Sequence, residues 1–354
     1  MSKAFEGSVD YLQILDENGQ VDQSLMPADL NDAKLIDMLK WMLFARAADA
    51  KALSLQRQGI AVTYAPLLGQ EATQIGTALA MRRQDIFVPN FRQHGVLLAR
   101  GMPLYNFYLS ARGFEDANKV SEPINATCFC VPVASQMPHS AGIAFALKYL
   151  GRDAVAVGFV GDGGTSEGDF YEALNFAGVW KAPLVAVIEN NQWAISVPRI
   201  KQTAAQTLAQ KGFAAGLRCI QVDGNDVIAV YKAMTDAIAA SKDGPTLIEC
   251  VTYRMSMHTT ADDPTRYRSD AEVEAWSKKD PIERLRKFLT AKGLWSAEAE
   301  AKLAEENLKK IDEAVELAVQ FKPDPKSMFE NVYSFMPDAL QREMDDAAAA
   351  NFWQ

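Results

Sequence analysis

The chain contains 354 residues, 49% of them hydrophobic, and carries a formal net charge of −9 at pH 7. Its length permits a large buried core, while its negative charge offers no general attraction to nucleic acid or to anionic membranes. The N-terminal segment lacks the apolar stretch of a secretory signal, no window is apolar enough to span a bilayer, and four cysteines make no disulfide framework, so we expect a cytoplasmic protein.

The first half of the chain is predicted to be mainly helical. Residues 31–59 carry apolar positions at helical spacing, with Asn31 as a candidate N-cap and Gly59 as a candidate stop. The segments QEATQIGTALAM and HSAGIAFALKYLG indicate two further helices, and DIFVP indicates a short strand between them.

The middle of the chain alternates strands with helices. Four short apolar segments, rich in β-branched residues, are predicted as buried strands over residues 154–160, 184–189, 219–222 and 246–253. Helical patterns lie between the first two and between the last two, a spacing that indicates right-handed crossovers and a parallel sheet. The carboxyl ends of the four strands should then share one edge, where an open α/β sheet binds its ligand.

The last part of the chain returns to helix, with Asp280 and Ser296 as candidate helix starts. We therefore predict an α/β fold with a central parallel sheet flanked by helices. Residues 1–354 are interpreted as one domain, with a helical N-terminal extension over 1–60 and a helical C-terminal extension over 270–354.

Glycines and polar residues follow the first two strands of this middle region. GDGG fits neither a dinucleotide fingerprint, since Ser166 stands where the third glycine belongs, nor a P-loop, which needs a lysine at its end. Taken alone, it is most simply an ordinary strand-to-helix turn. However, an NN pair follows GDG after 26 residues, the length of one helix crossover, so Asp162 and Asn191 would face each other if the two strands are neighbours.

A carboxylate facing a carboxamide indicates a metal site of a particular kind. Oxygen ligands suit Mg²⁺ or Ca²⁺ rather than zinc, and Mg²⁺ commonly completes its coordination with phosphate oxygens and water, which implies a diphosphate. The glycines would let backbone N–H groups approach that diphosphate. A helix that begins near Asp169 would direct its positive N-terminal end towards it.

The GDG and NN motifs together resemble the diphosphate-binding signature of thiamine diphosphate enzymes. With NNQWAIS, HTTADDPTRYR and KKDPIERLRKFLTAKGLW, the chain resembles the alpha subunit of the decarboxylating first component of 2-oxo acid dehydrogenase complexes, most closely its bacterial pyruvate-specific members. The matching segments run from QVDQSLMP to about residue 321. The resemblance implies a thiamine diphosphate-binding fold, with thiamine diphosphate and Mg²⁺ as cofactors.

The resemblance also implies roles for residues of the two motifs. Asp162, the side chain of Asn191 and the main-chain carbonyl of Trp193 would bind Mg²⁺. Gly163 and Gly164 would offer their N–H groups to the diphosphate.

Other implied site residues lie outside these motifs. Arg92 matches the arginine that pairs with the diphosphate, and Phe91 stands where the family commonly has tyrosine. Val131 and Val133 match positions whose backbone holds the aminopyrimidine ring. His258 is the implied catalytic residue, which stabilises the thiamine-bound intermediate and helps to pass the acyl group to lipoamide. A lone loop histidine more often has no role, but His258 follows the fourth strand at the ligand edge, in a segment that matches the family's catalytic loop.

Several further positions are less specific. Four loop residues match family positions that order the catalytic loop, although simple surface charge is an equal alternative; they are Arg254, Asp262, Tyr267 and Arg268. His94 matches a loop histidine of several relatives, and His139 is interpreted as structural. Ala65 occupies a place where some pyruvate-specific relatives have histidine, so it does not indicate the substrate. Thr259 stands where animal relatives carry a phosphorylated serine.

The resemblance implies partners as well. The family keeps the glutamate that activates the cofactor on a separate beta chain, so we expect an α₂β₂ heterotetramer docked to a lipoylated dihydrolipoyl acyltransferase core. The expected substrate is pyruvate, with branched-chain 2-oxo acids or acetoin as alternatives. Two hypotheses of another class are a nicotinamide-binding reductase, which the missing third glycine disfavours, and a non-catalytic Mg-diphosphate binding module, which the retention of Arg92 and His258 disfavours.

Overall fold

Six parallel strands form the central sheet of the protein in this computed structural model, which describes residues 4–119 and 124–350. The described part of the chain forms eight strands in all, namely β1 (Asp10–Leu12), β2 (Ile86–Val88), β3 (Ala156–Gly161), β4 (Leu184–Asn190), β5 (Trp193–Ala194), β6 (Val197–Pro198), β7 (Arg218–Asp223) and β8 (Thr246–Val251). The sheet order is β1-β7-β8-β4-β3-β2, and β5 and β6 form a separate antiparallel hairpin. The predicted parallel sheet is confirmed.

Helices cover both faces of this sheet, as the α/β prediction requires. In the described residues they are α1 (Asp32–Arg57), α2 (Glu71–Ala80), α3 (His94–Ala99), α4 (Leu104–Ala111), α5 (Gln136–Tyr149), α6 (Gly168–Trp180), α7 (Arg199–Gln202), α8 (Val227–Ala240), α9 (Asp270–Ser277), α10 (Pro281–Ala291), α11 (Ala297–Gln320), α12 (Ser327–Glu330) and α13 (Asp338–Ala349). Within that part of the chain, none of them combines the length and the apolar sequence needed to cross a bilayer.

Side-chain caps fix three of the predicted helix starts. Asn31 accepts a hydrogen bond from a backbone N–H in the first turn of α1, and Asp280 and Ser296 cap α10 and α11 in the same way. Each cap pairs an N–H group that has no partner inside its helix, which stabilises the helix by about 1 kcal/mol. α1 ends at Arg57, and Gly59 beyond it adopts a left-handed φ of 74° that favours glycine.

The central strand β4 shows why the sheet is apolar on both faces. Val185 and Val187 pack in the cluster that includes residues of α1, α2 and α8. Ala186 and Ile188 pack in a second cluster with residues of α5 and α6. Successive side chains of a strand point to opposite faces, so a strand covered on both sides needs an unbroken apolar run.

The N-terminal segment adds a strand that the sequence did not predict. β1 pairs in parallel with β7 at one edge of the sheet. Asp226 holds the chain beyond it, since its Oδ2 accepts hydrogen bonds from the N–H groups of Ile14 and Leu15 at 2.6 and 2.7 Å. A strand of three residues is too short to show a periodic pattern, and its pairing depends on contacts about 200 residues away along the chain.

The domain limits remain predictions. α11, in the proposed C-terminal extension, packs against α1 and α4, and β1, in the proposed N-terminal extension, belongs to the central sheet. Parts of the predicted spans 1–354, 1–60 and 270–354 lie outside the described residues, namely 1–3, 120–123 and 351–354.

Candidate cofactor site

Two polar loops lie side by side at the carboxyl edge of the sheet. β3 pairs with β4 in parallel, with Gly161 opposite Glu189, so these strands are immediate neighbours. Asp162 follows β3 and Asn191 follows β4, and both line a cavity of about 230 Å³. The structure thus brings the two residues to one cavity, and their binding roles stay predictions.

The side chain of Asp162 is buried, with 1% of its surface exposed. Among the described residues, its Oδ2 has no hydrogen-bond partner. Burial raises the pKa of this carboxyl group from 3.8 to about 6. A buried carboxylate oxygen without a partner is costly, so this position fits a bound cation.

The other two predicted metal ligands are held by neighbouring side chains. The Asn191 Nδ2 donates to Gln70 Oε1 at 2.9 Å, which orients the carboxamide so that its Oδ1 lies away from Gln70. The Trp193 carbonyl accepts a hydrogen bond from Arg254 Nη1 at 3.1 Å, and its indole N–H donates to Glu272 Oε1 at 3.0 Å. A carbonyl oxygen has two lone pairs, so the Trp193 carbonyl keeps one for a further partner.

The glycines of the GDGG segment occupy positions without room for a side chain. A Cβ atom on Gly164 would lie 2.5 Å from Val160 Cγ2, and one on Gly163 would lie 2.8 Å from Ala194 Cβ. Both glycines are in a 3₁₀ turn, Gly163–Ser166, directly before α6. The turn therefore presents bare backbone to the cavity beside a helix N-terminus, which is a geometry suited to an anion.

Two side chains that the sequence did not single out hold this turn. The Gln202 Nε2 donates to the carbonyls of Asp162 and Gly163 at 2.9 and 2.7 Å. The buried Lys211 Nζ donates to the carbonyl and the hydroxyl of Thr165 at 2.8 and 3.0 Å. Both residues lie about 40 positions or more along the chain from their partners, so no local motif could have indicated them.

Arg92 places a buried positive charge at the same cavity. It is 4% exposed, and its Nη2 donates to the His258 carbonyl at 3.0 Å, while its Nη1 donates to the Pro66 carbonyl. Burial and, to a smaller extent, the neighbouring Arg254 lower the pKa of Arg92 to about 10. The guanidinium therefore remains charged at neutral pH, as the predicted pairing with a diphosphate would require.

His258 lies between the two arginines. Its Nδ1 is 3.2 Å from Arg92 Nη2 and 3.4 Å from Arg254 Nη1. Because guanidinium groups only donate, Nδ1 must accept, and the ring proton then resides on Nε2. Burial, then Arg92 and Arg254, lower the pKa of His258 to about 4, so the ring is neutral at pH 7.

Hydrogen bonds fix the loop that carries His258. The fully buried Arg254 donates through Nη2 to the Ile195 carbonyl at 2.7 Å and to the Tyr267 hydroxyl at 3.0 Å. The Tyr267 hydroxyl in turn donates to Asp262 Oδ2, which also accepts from the His258 N–H at 2.8 Å. For Arg254, the surface-charge alternative is wrong, because the side chain links this loop to the hairpin that follows β4.

Glu189 is another residue of the cavity that sequence reasoning missed, although it directly precedes the NN pair. It accepts hydrogen bonds from Gln93 Nε2 at 2.8 Å and from Gln74 Nε2 at 3.2 Å. Gln74 also donates to the Arg92 carbonyl at 3.1 Å, so Glu189 supports the segment that carries Arg92. Burial raises the pKa of Glu189 to about 7.

A second cavity of about 690 Å³ adjoins the first. Phe91, Val133 and His258 line both cavities, and the ring of Phe91 meets that of His258 edge-on at 6.0 Å between centroids. Val131 also lines the second cavity, and the side chains of Val131 and Val133 are 67% and 49% exposed. The predicted cofactor and catalytic residues therefore line two adjoining cavities.

Two histidines lie in different settings. His94 lines the second cavity together with Ala65 and Thr259. His139 lies on the exposed side of α5, where its Nδ1 is 2.8 Å from the carbonyl of Ser135. Only His94 of these two is near the candidate site.

The arrangement fits a metal bound to a diphosphate. In the described ranges, no group of three or more His, Cys, Asp or Glu side chains is placed to hold a metal ion. A metal at this edge would therefore depend on Asp162, an amide oxygen and a main-chain carbonyl, which together suit Mg²⁺ when phosphate oxygens complete the coordination. Arg92, which lines the cavity, carries the positive charge that pairing with a diphosphate would need.

Comparison with known proteins identifies the family. The model of the dehydrogenase E1 component family matches residues 39–326. The chain is 43% identical over 344 residues to the pyruvate dehydrogenase E1 component subunit alpha of Staphylococcus aureus, which covers 96% of this chain and 93% of that protein. It is 42% identical, with the same coverage, to the subunit of that name from Staphylococcus epidermidis. The chain therefore belongs to the dehydrogenase E1 component family.

Proposed function

We propose that this chain is the alpha subunit of a thiamine diphosphate-dependent pyruvate dehydrogenase, which decarboxylates pyruvate oxidatively and delivers the acyl group to a lipoyl group. The observation that carries the proposal is the buried Asp162 Oδ2, unpaired among the described residues, at the cavity that Asn191 also lines. A divalent cation is the partner that this Asp162 oxygen lacks, with the Asn191 carboxamide at the same cavity as a second oxygen ligand. Family membership and the names of the relatives support the same activity.

The residues of the first cavity would hold the cofactor. Thiamine diphosphate would supply the nucleophilic carbon and the electron sink for decarboxylation. Asp162, the Asn191 side chain and the Trp193 carbonyl would bind Mg²⁺, and Arg92 with the N–H groups of residues 163–164 would bind the diphosphate. This division of roles is supported by the burial of Asp162 and by the lack of room for side chains in the turn.

His258 would act as a neutral hydrogen-bond donor towards the reacting group. Its Nδ1 faces two guanidinium groups, so its proton is held on Nε2. A donor of this kind can stabilise an oxygen that gains negative charge during the reaction, and it can later deliver that proton. The hydrogen bond from the His258 N–H to Asp262 keeps the loop in place for this role.

We further propose that the chain works as part of an α₂β₂ heterotetramer with a beta subunit, docked to a lipoylated dihydrolipoyl acyltransferase core. The name of the relatives, subunit alpha, supports a beta partner. The exposed Val131 and Val133 side chains at the second cavity support a site that another chain completes. The glutamate that activates the cofactor would come from that chain.

Pyruvate is the proposed substrate because the relatives are pyruvate dehydrogenase subunits. Branched-chain 2-oxo acids and acetoin are the alternative substrates, since related enzymes share the GDG and NNQWAIS segments. A nicotinamide-binding reductase would need a dinucleotide loop, and the turn Gly163–Ser166 lacks the third glycine of that fingerprint. A non-catalytic Mg-diphosphate module would not need a neutral donor at His258.

The test is the activity of the chain co-expressed with its beta partner. Pyruvate and 2-oxoisovalerate are compared as substrates, with and without added thiamine diphosphate and Mg²⁺, and release of CO₂ is measured with an artificial electron acceptor. We expect thiamine-dependent turnover with pyruvate preferred. A complex that decarboxylates neither acid would refute the proposed activity, and a preference for 2-oxoisovalerate would refute the proposed substrate.

A further inference from the structure

His94 lies at the start of α3, in the wall of the second cavity. The side chain is 6% exposed. Its imidazole stacks on the ring of Tyr64 at 5.5 Å between centroids and meets the rings of Phe107 and Phe129 at 4.9 Å. Three aromatic rings therefore hold the histidine in one orientation beside the cavity.

One ring nitrogen of this imidazole lacks a partner. Nδ1 is buried and forms no hydrogen bond with any described residue. Burial, and then the positive charge of Arg92, lower the pKa of His94 to about 3, so the ring is neutral and carries one N–H. A buried N–H without a partner costs about 1–3 kcal/mol, so the proton belongs on Nε2 rather than on the enclosed Nδ1.

The surroundings favour an anionic partner for this N–H. Among the described residues that line the cavity, Glu115 is the one acidic residue. The positively charged Arg92 lies close to this cavity, because it donates a hydrogen bond to His258, which lines the cavity. A purely structural residue in a box of three aromatic rings would need no polar atoms, so a phenylalanine or leucine would fill this place at lower cost. A histidine there is explained if a ligand in the cavity accepts its proton.

We propose that His94 contacts the substrate and donates a hydrogen bond from Nε2 to the carboxylate that all 2-oxo acids share. This inference rests on the proposed function, since it concerns the acid that the site would bind. The carboxylate is present before decarboxylation and absent afterwards. His94 would therefore contribute to binding of the acid, and so to KM, more than to the later steps.

The experiment uses the complex of this chain with its beta partner, loaded with thiamine diphosphate and Mg²⁺. KM and kcat are measured for pyruvate, 2-oxobutyrate and 2-oxoisovalerate with His94→Leu, which removes the donor, and with His94→Gln, which keeps one. We expect His94→Leu to raise KM roughly 10-fold or more, by a similar factor for all three acids, because each presents the same carboxylate. The rise should be smaller for His94→Gln. His139→Leu, at an exposed histidine, is the matched control and should leave KM unchanged.

Other outcomes separate this inference from its alternatives. An unchanged KM, an equal rise in both variants, or a rise that grows with the size of the acyl chain would overturn the contact with the carboxylate. A matching rise in the dissociation constant of thiamine diphosphate would show that His94 acts on the cofactor site instead. Inactivity of the unmodified complex would refute the proposed function, which is a different result from an active complex that tolerates His94→Leu.

A measurement without turnover completes the test. The chain is labelled with ¹⁵N-histidine and assembled with unlabelled beta subunit, Mg²⁺ and a thiamine diphosphate analogue that lacks the reactive carbon, and pyruvate is added. We expect the Nε2 resonance of His94 to carry the proton and to shift when pyruvate binds. A proton on Nδ1, or a resonance that does not respond to pyruvate, would contradict the proposal even if a variant failed to fold.

Discussion

The guanidinium of Arg92 lies against the imidazole of His258, with 3.2 Å between Nη2 and Nδ1. The cation can only donate at this contact, so it fixes the tautomer of the histidine as well as its protonation. The same guanidinium donates to the His258 carbonyl at 3.0 Å, which ties the loop to the cavity that Asp162 lines. One residue thus places a positive charge at the cavity and keeps a neutral donor beside it.

We predict that His258 stays neutral well below its ordinary titration range. Burial, Arg92 and Arg254 lower its pKa from 6.5 to about 4, so lowering the pH to about 5.5 should not protonate it. The chain has three histidines, which makes ¹⁵N-histidine labelling of this chain alone, in the cofactor-free complex, a direct measurement. His139→Gln and His258→Gln assign the signals by subtraction.

The cause of this shift can be tested separately. Replacing Arg92 with Met removes one of the charges that oppose protonation, so the pKa of His258 should rise towards its ordinary value. Lys232→Met, at a half-buried lysine that pairs with the exposed Asp236, is a control that should leave the titration unchanged. A His258 that titrates near 6.5 in the unmodified complex would contradict the arrangement of the two guanidinium groups.

Asp162→Asn should separate binding from stability. The substitution removes a buried carboxylate whose Oδ2 is unpaired among the described residues, so we expect the cofactor-free complex to gain on the order of 1–3 kcal/mol in free energy of unfolding. Mg²⁺-dependent binding of thiamine diphosphate should fall by about 100-fold or more, because the amide carries no charge for the metal. Thermal unfolding and titration calorimetry measure the two effects.

Asp169→Asn is the matched control for this experiment, since Asp169 lies in the first turn of α6 but is exposed. It should change neither quantity appreciably. Unaltered Mg²⁺-dependent binding in Asp162→Asn would remove Asp162 from the metal site.

Sequence patterns predicted the parts of this protein that follow from local chemistry. The buried strands β3 and β4 could be predicted because strands covered on both faces need continuous apolar runs. Because these two strands are adjacent in the sheet, Asp162 and Asn191, which follow them, lie at the same edge. The capped starts of α1 and α10 were also predictable from local sequence, because a capping residue lies directly before the helix that it caps.

Features that depend on contacts between residues far apart along the chain could not be predicted from the sequence. β1 is a strand only because β7 lies beside it. Nothing in the local sequence distinguishes Lys211 or Gln202 from other residues of their type. Their roles follow only from the hydrogen bonds that they donate, Lys211 to Thr165 and Gln202 to the carbonyl of Gly163. The aromatic surroundings of His94 come from three separate segments of the chain, so a pattern search could match the residue but not its setting.

Gly164→Ala should disturb the turn that would hold the diphosphate. The new Cβ would lie 2.5 Å from Val160 Cγ2 and 3.3 Å from Val133 Cγ1, so the turn or strand β3 must shift. We expect a loss of about 1–3 kcal/mol in stability and at least about 10-fold weaker binding of thiamine diphosphate. Gly168→Ala is the control, because a Cβ there would meet only the flexible Glu172 side chain, at 4.0 Å, among the described residues. Equal binding by both variants would show that backbone geometry at Gly164 is not needed for the cofactor.

Lys211→Met should show whether the hydrogen bonds from Lys211 to the turn Gly163–Ser166 contribute to cofactor binding as well as to stability. The ammonium group of Lys211 is buried and donates to both oxygens of Thr165, while its Nζ lies 5.4 Å from the centre of the Tyr171 ring. Methionine fills similar space without a donor or a charge, so the Thr165 carbonyl loses this hydrogen bond, at a cost of about 1–2 kcal/mol in unfolding free energy.

The consequence for the site is specific. A turn that is free to move should bind thiamine diphosphate about 3-fold to 30-fold more weakly at saturating Mg²⁺, since the N–H groups of residues 163–164 are no longer held in one arrangement. Calorimetric titration of the complex measures this change, and Lys232→Met provides the control at a half-buried lysine that pairs with the exposed Asp236. If Lys211→Met lowers stability but leaves the dissociation constant unchanged, Lys211 serves the fold alone. If stability falls and the dissociation constant rises, Lys211 is a positioning residue for the turn Gly163–Ser166.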